Sequence, residues 1–121
     1  MILGIGTDMI EIERVRKACE KEAFLTRIYT EKECRLAEGN ASRLAGNFAV
    51  KEAVAKALGT GFRSFMPIDI EVLRDEVGKP YVVLYGGAKD RFEELHMERM
   101  EVSISNTKEY ALGFAVGEGV R

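Results

Sequence analysis

The run from Arg43 to Gly59 constrains this chain more than any other stretch. It is alanine-rich, contains no proline and ends on a glycine, so it predicts one helix with a glycine stop. Leu44, Phe48, Ala55 and Leu58 recur at helical spacing, and Val50, Val54 and Ala57 cover a second face. A helix apolar on nearly every side must be buried, so the rest of the fold has to close around it. Its polar residues are then the informative ones. Arg43, Asn47 and Lys51 step by four along one stripe, with Glu52 and Lys56, also four apart, beside it. Charged groups on a buried helix need partners. Spacing alone also permits an ordinary surface pair between Glu52 and Lys56, contributing only about 0.2–0.5 kcal/mol.

At 121 residues the chain makes one domain, residues 1–121, with room for a real core. A hydrophobic fraction of 46% and a charged fraction of 31% fit a globular protein. No apolar run reaches the roughly 18–20 residues needed to span a membrane. The N-terminus lacks a basic segment followed by a long apolar one, so the expectation is a cytoplasmic protein without membrane contact. A net charge of −2 argues against nucleic-acid binding by bulk charge, and any basic site must be a local patch. Cys19 and Cys34 lack metal-ligand spacing and read as reduced thiols in helices.

The N-terminal run Met1 to Ile10 carries Ile2, Leu3, Ile5, Met9 and Ile10 around Gly4 and Gly6, which predicts a buried strand with close backbone approach. Asp8-x-x-Glu11 matches a helix-start pattern, so Asp8 reads either as a cap or as a site residue. Glu11 to about Glu22 predicts a helix on which Arg14 and Lys17 are three apart and Lys17 and Lys21 four apart, with Glu13, Glu20 and Glu22 interleaved. Thr30-Glu31-Lys32-Glu33 is a capping box opening a short helix to about Glu38. Gly59-Thr60-Gly61 reads as the helix stop, although such turns can also expose N–H groups to a phosphate. From Ile68 to Val72 the alternation with Asp69 and Glu71 predicts a half-buried strand. Gly78-Lys79-Pro80 is a turn, Tyr81 to Tyr85 a strand, Ala88 to His96 a helix, and Glu101–Ser105 and Tyr110–Val116 two further strands. The class is α+β, with an antiparallel sheet packed on a long central helix in the order β-α-α-α-β-β-α-β-β.

Phe48-x-x-Lys51-Glu52-Ala53-x-x-Lys56 resembles the signature of the phosphopantetheinyl transferases. The opening Gly4-Ile5-Gly6-Thr7-Asp8-x-x-Glu11-Ile12 resembles their short, carrier-protein-synthase branch, and the likeness covers nearly the whole chain. The resemblance implies transfer of 4′-phosphopantetheine from coenzyme A to a serine of an acyl carrier protein, in fatty acid biosynthesis. It implies magnesium at Asp8 and Glu52, and catalysis by these two with Lys56. It implies coenzyme A contacts at Lys56, Gly59, Gly78, Lys79, Pro80, Ser105, Asn106 and Thr107. Arg14, Lys17 and Lys21 would meet the acidic carrier protein, and the chain would form a homotrimer with sites between subunits.

Phosphoryl transfer needs the diphosphate neutralised and the nucleophile in line. Magnesium usually takes one or two carboxylates plus phosphates and waters, which suits such a pair. Two departures from the family stand out. Asn106 occupies the place of a histidine, and an amide cannot act as a base. Asn47 stands where many relatives carry a basic residue, which removes one expected phosphate contact. Two other readings are a magnesium-dependent nucleotide diphosphate hydrolase and a non-catalytic module docking acidic proteins through Arg14, Lys17 and Lys21.

Overall fold

The structure is a computed structural model describing residues 1–120. Strand β1 (Ile2–Glu11) is followed by the short helices α1 (Ile12–Ala18), α2 (Glu22–Ile28) and α3 (Glu31–Ala37), and by the long helix α4 (Ala41–Ala57). Then come the hairpin β2 (Ile70–Arg74) and β3 (Pro80–Leu84), helix α5 (Gly86–Glu94), β4 (Met97–Asn106) and β5 (Tyr110–Gly119). The order of strands and helical regions is the expected one. The region predicted as one helix to Glu22 stops at Ala18. A turn at Cys19–Lys21 then starts α2, whose Phe24, Leu25 and Ile28 pack into a core with Val15, Tyr29 and Leu44.

The sheet order is β1-β5-β4, all antiparallel, and β2–β3 forms a separate two-stranded ribbon. Helix α4 lies across the three-stranded sheet, and Ala45, Ala49 and Ala53 on it are fully buried. Two strand glycines explain how close the two layers come. A Cβ on Gly6 would stand 1.9 Å from the Ala53 carbonyl oxygen, and one on Gly113 would stand 2.5 Å from the Ala49 backbone. Any side chain there would push the helix off the sheet, so glycine against alanine sets the spacing.

This packing also fixes orientation. Even-numbered residues of β1 face α4, as Gly4 and Gly6 do, so Asp8 shares that face. Odd-numbered Ile5, Thr7 and Met9 point away. Asp8 sits within the strand opposite Gly113, and Glu11 is the N-cap of α1, so the capping reading of Asp8 is not realised.

The predicted strand at Ile68 begins two residues later, because Pro67–Asp69 forms a single 3₁₀ turn. It is also buried on both faces rather than on one. The reason is Glu71, which is buried yet satisfied: its carboxylate accepts from the Thr30 hydroxyl at 2.6 Å and the Tyr85 hydroxyl at 2.9 Å.

Candidate active site

The α4 stripe separates into two jobs. Lys51 is fully buried, and its ammonium donates to Glu33 Oε1 at 2.7 Å and to the carbonyls of Pro67 and Ile70. It also lies 5.5 Å from the centre of the Tyr29 ring. Glu33 Oε2 accepts from Asn47 Nδ2 at 3.2 Å. The same Glu33 closes the capping box with Thr30 as predicted. Burial pushes the Glu33 carboxyl up and the Lys51 ammonium down, and their attraction opposes both shifts. Lys51 therefore holds α3, α4 and β2 together from inside and is closed to any ligand. Sequence reasoning saw that a cation on this helix needed a partner. It could not point to Glu33, which lies on another helix and also serves its own cap.

Glu52 and Lys56 face the other way, toward β1. Lys56 Nζ donates to the Thr7 carbonyl at 2.9 Å and stands 3.5 Å from Asp8 Oδ1. The cation thus pairs with Asp8 across the sheet–helix junction, and the simple Glu52–Lys56 surface pair is not formed. Burial pushes the Glu52 carboxyl up from its usual range, the Asp8 carboxylate adds to the rise, and Lys56 opposes it. So Asp8, Glu52 and Lys56 converge, although 44 positions separate the two carboxylates. Asp8 and Glu52 are both partly open to solvent. They offer hard oxygen donors whose mutual repulsion a divalent cation would relieve. Among the described residues no group of three or more His, Cys, Asp or Glu side chains could hold a metal. A donor set of two carboxylates fits an ion that takes its remaining ligands from phosphates and water.

The other candidates lie elsewhere. Gly59 follows α4 at φ 83°, one turn beyond Lys56. Asn106 lies at the opposite end of α4, where its Nδ2 donates to Ser42 Oγ at 2.6 Å and to the Ser42 carbonyl at 3.1 Å. From Ser42 to Glu52 is ten residues of helix, or about 15 Å at 1.5 Å per residue. Ser105 points to the outer face of the sheet, opposite Leu112, and Thr107 caps the β4–β5 turn by accepting from Tyr110 N at 2.9 Å. Gly78 holds φ 86° in the β2–β3 turn, Pro80 begins β3, and exposed Lys79 meets exposed Glu101 at 3.4 Å. One chain therefore gathers Asp8, Glu52 and Lys56, and leaves Asn106 and the Gly78 turn at a distance. His96 is exposed at φ 61° in the turn before β4 and meets none of these groups.

Asn47 turns its Oδ1 to Arg74, whose Nη2 donates to it at 3.0 Å. Arg74 was not singled out by its sequence, because nothing in a strand's alternation marks which guanidinium faces a helix end. On α1, Arg16 takes up the interleaved acids, pairing with Glu13 and Glu20. Arg14, Lys17 and Lys21 are exposed and make none of the ion pairs found among the described residues. No helix among the described residues is long and apolar enough to cross a membrane.

The family profile described as the 4′-phosphopantetheinyl transferase superfamily matches residues 4–115. A relative from Lachnoclostridium phytofermentans, holo-[acyl-carrier-protein] synthase, is 58% identical over 121 residues, covering 100% of this chain and 99% of the relative. Two solved structures superpose along nearly the whole chain. The holo-(acyl-carrier-protein) synthase of Bacillus anthracis, in complex with CoA (3′,5′-ADP), matches at a TM-score of 0.82 and 36% identity, covering 99% of each chain. The Helicobacter pylori holo-[acyl-carrier-protein] synthase, in complex with coenzyme A, matches at a TM-score of 0.85 and 29% identity, covering 94% of this chain and 99% of that one. On the breadth of these matches, the chain belongs to the 4′-phosphopantetheinyl transferase superfamily.

Proposed function

We propose that this protein transfers the 4′-phosphopantetheine group of coenzyme A to a serine of an apo acyl carrier protein. The serine oxygen forms a bond to the pantetheine-side phosphorus of the diphosphate. The bond from that phosphorus to the bridging oxygen breaks, and 3′,5′-ADP leaves with the electron pair. The observation that carries this reading is the convergence of Asp8, Glu52 and Lys56 on one partly open edge of the helix–sheet junction.

Each residue has a task. Asp8 and Glu52 would hold magnesium, which supplies charge neutralisation at the diphosphate when bound. Lys56, anchored by the Thr7 carbonyl, presents a positive charge to the phosphates and to the departing one. The serine proton would pass to one of these carboxylates, since Asn106 supplies none of the basicity a histidine would. The direct test is release of 3′,5′-ADP from coenzyme A and magnesium with and without apo carrier protein. Release should depend on the carrier protein; equal release without it would favour a hydrolase.

Arg14, Lys17 and Lys21 form the docking face for the acidic carrier protein, since Arg16 has already neutralised Glu13 and Glu20. Reversing Arg14 or Lys21 to Glu should raise the KM for carrier protein about tenfold or more while leaving that for coenzyme A nearly unchanged. The salt dependence of association should flatten. Equal effects on both substrates would place docking elsewhere.

The working form is a homotrimer with each site shared between subunits. Support comes from the outer face of the sheet, where Ile5 and Met9 are each 62% exposed and Phe114 37%. Val116 lies opposite Ile5 and Leu112 opposite Met9, so the apolar face is continuous across two strands. The stretch of helix from Ser42, which Asn106 contacts, to Glu52 is about 15 Å long, and this supports a site completed by a second copy. Sedimentation at micromolar concentration should give three times the chain mass, and Phe114→Asp should give a folded, inactive monomer. A wild-type monomer would contradict this assembly.

A further inference from the structure

The last turn of α4 carries Lys56, and a helix end leaves its carbonyl oxygens without partners in the helix. Most of these are settled by the turn that follows. Leu58 N donates to the Val54 carbonyl at 2.9 Å, Gly59 N to that of Lys56 at 3.0 Å and Gly61 N to that of Ala55 at 3.2 Å. The Ala57 carbonyl closes on Gly4 of β1, where a Cβ would stand 2.0 Å from its oxygen. The Leu58 carbonyl remains, on a residue that is fully buried. A buried carbonyl without a donor is costly.

Its donor comes from α5. Arg91 Nε donates to the Leu58 carbonyl at 3.0 Å, across 33 positions of sequence. Arg91 Nη1 pairs with Glu94 Oε1 at 2.5 Å, one turn on along the same helix. A Cβ on Gly59 would stand 3.8 Å from Nη2, so the third nitrogen lies beside the turn that follows α4. Helix α5 is itself seated by Ala88, buried in one core with Val54 and Leu58. A guanidinium holds a carbonyl with one nitrogen and a carboxylate with another because its donors form a fixed fork; an ammonium is a point charge. The cation also stands at a helix C-terminus, where aligned dipoles leave a negative charge of about half a unit. That negative end opposes a diphosphate beside Lys56, and Arg91 offsets it.

We propose that Arg91 is a positioning residue for the diphosphate of coenzyme A. By fixing the Leu58 carbonyl it holds the last turn of α4 between β1 and α5. It thereby sets where Lys56 and the Gly59 turn stand. This rests on the reading of coenzyme A as co-substrate. Arg91 acts through the backbone and touches no reacting atom. The chain of contacts is short. The Leu58 carbonyl lies two positions after Lys56, and Lys56 Nζ ends on the carbonyl of Thr7, the neighbour of Asp8. Without Arg91 the turn is free on the α5 side, while the Lys56 ammonium stays tied to β1.

Amide hydrogen exchange of the ligand-free protein, read beside transfer kinetics, tests this role. Arg91→Met should speed exchange at Gly59 and Gly61 about tenfold or more, and less at the middle of α4. Transfer, assayed well below the melting temperature, should show a KM for coenzyme A about tenfold higher and a carrier-protein KM unchanged. Loss of folded protein alone would lower turnover and move neither KM. Arg91→Lys keeps the charge and one donor, so it should show a smaller change in both readouts, and it serves if Arg91→Met fails to fold. Glu94→Gln leaves the Leu58 bond intact and should stay within about twofold of wild type. Wild-type exchange at Gly59 and Gly61 in the folded Arg91 variants, an unchanged KM for coenzyme A, or equal rises in both KM values would overturn the assignment. A wild-type protein that transfers nothing would overturn the proposed function instead, and the exchange comparison would still decide whether Arg91 pins the turn.

Discussion

Replacing Glu52 by Gln is expected to abolish most transfer activity while leaving the metal-free protein at least as stable as wild type. Activity falls because the substitution removes a negative ligand oxygen beside Asp8. Loss of such a charge at a transferring diphosphate is expected to cost on the order of a hundredfold or more in kcat/KM. Asp8→Asn should behave alike and should also release Lys56 from its partner at 3.5 Å. Stability moves the other way for a separate reason. The Glu52 carboxyl is raised by burial and by Asp8. A raised carboxyl binds its proton more tightly folded than unfolded, so folding is favoured at low pH. That favour is lost as pH rises from the ordinary carboxylate range through the raised value. At neutral pH the ionised Glu52 is thus a local burden that glutamine removes. The check is a thermal melt beside a transfer assay at several magnesium concentrations. A variant with near-normal turnover at limiting magnesium would sink the assignment of Glu52.

The second large effect concerns Lys51, four positions before Ala55 and one before Glu52, and its sign is opposite. Lys51→Met should destabilise the protein by about 3–5 kcal/mol, because it leaves the Glu33 carboxylate buried without its cation. The carbonyls of Pro67 and Ile70 lose a donor as well. For a domain near this size the loss amounts to a Tm lower by on the order of 10–20 °C. Adding Glu33→Leu should recover part of it, since removing both charges is far less costly than stranding one. Thermal unfolding of the single and double variants gives the coupling directly. If Lys51→Met melted within a degree or two of wild type, the buried pair would not be what holds α3 and β2 to α4.

The contrast between Lys51 and Glu52 shows what a sequence can disclose. Burial of α4 was legible because alanine, valine and leucine cover it on all sides. The approach of β1 was legible in Gly4 and Gly6. Together they bring Asp8 to Glu52, which neither could show alone. The capping reading of Asp8 failed because local pattern cannot tell a strand interior from a strand end, and Glu11 holds that junction instead. The half-buried reading of β2 failed at Glu71, a carboxylate that two hydroxyls from distant elements allow inside. Arg74 was missed for the same reason: its meaning lies in Asn47, 27 positions away. In each case the missing information was a tertiary partner, while propensity and periodicity had already fixed the element itself.

Transfer from coenzyme A at the Asp8–Glu52–Lys56 edge would leave a covalent mark on its acceptor. The most direct measurement is the intact mass of an apo acyl carrier protein after incubation with this protein, coenzyme A and magnesium. Transfer predicts a gain of one phosphopantetheine group on the carrier serine, absent with Glu52→Gln and absent when magnesium is chelated. An unchanged carrier mass with the folded wild-type protein, across several acidic carrier proteins, would contradict it.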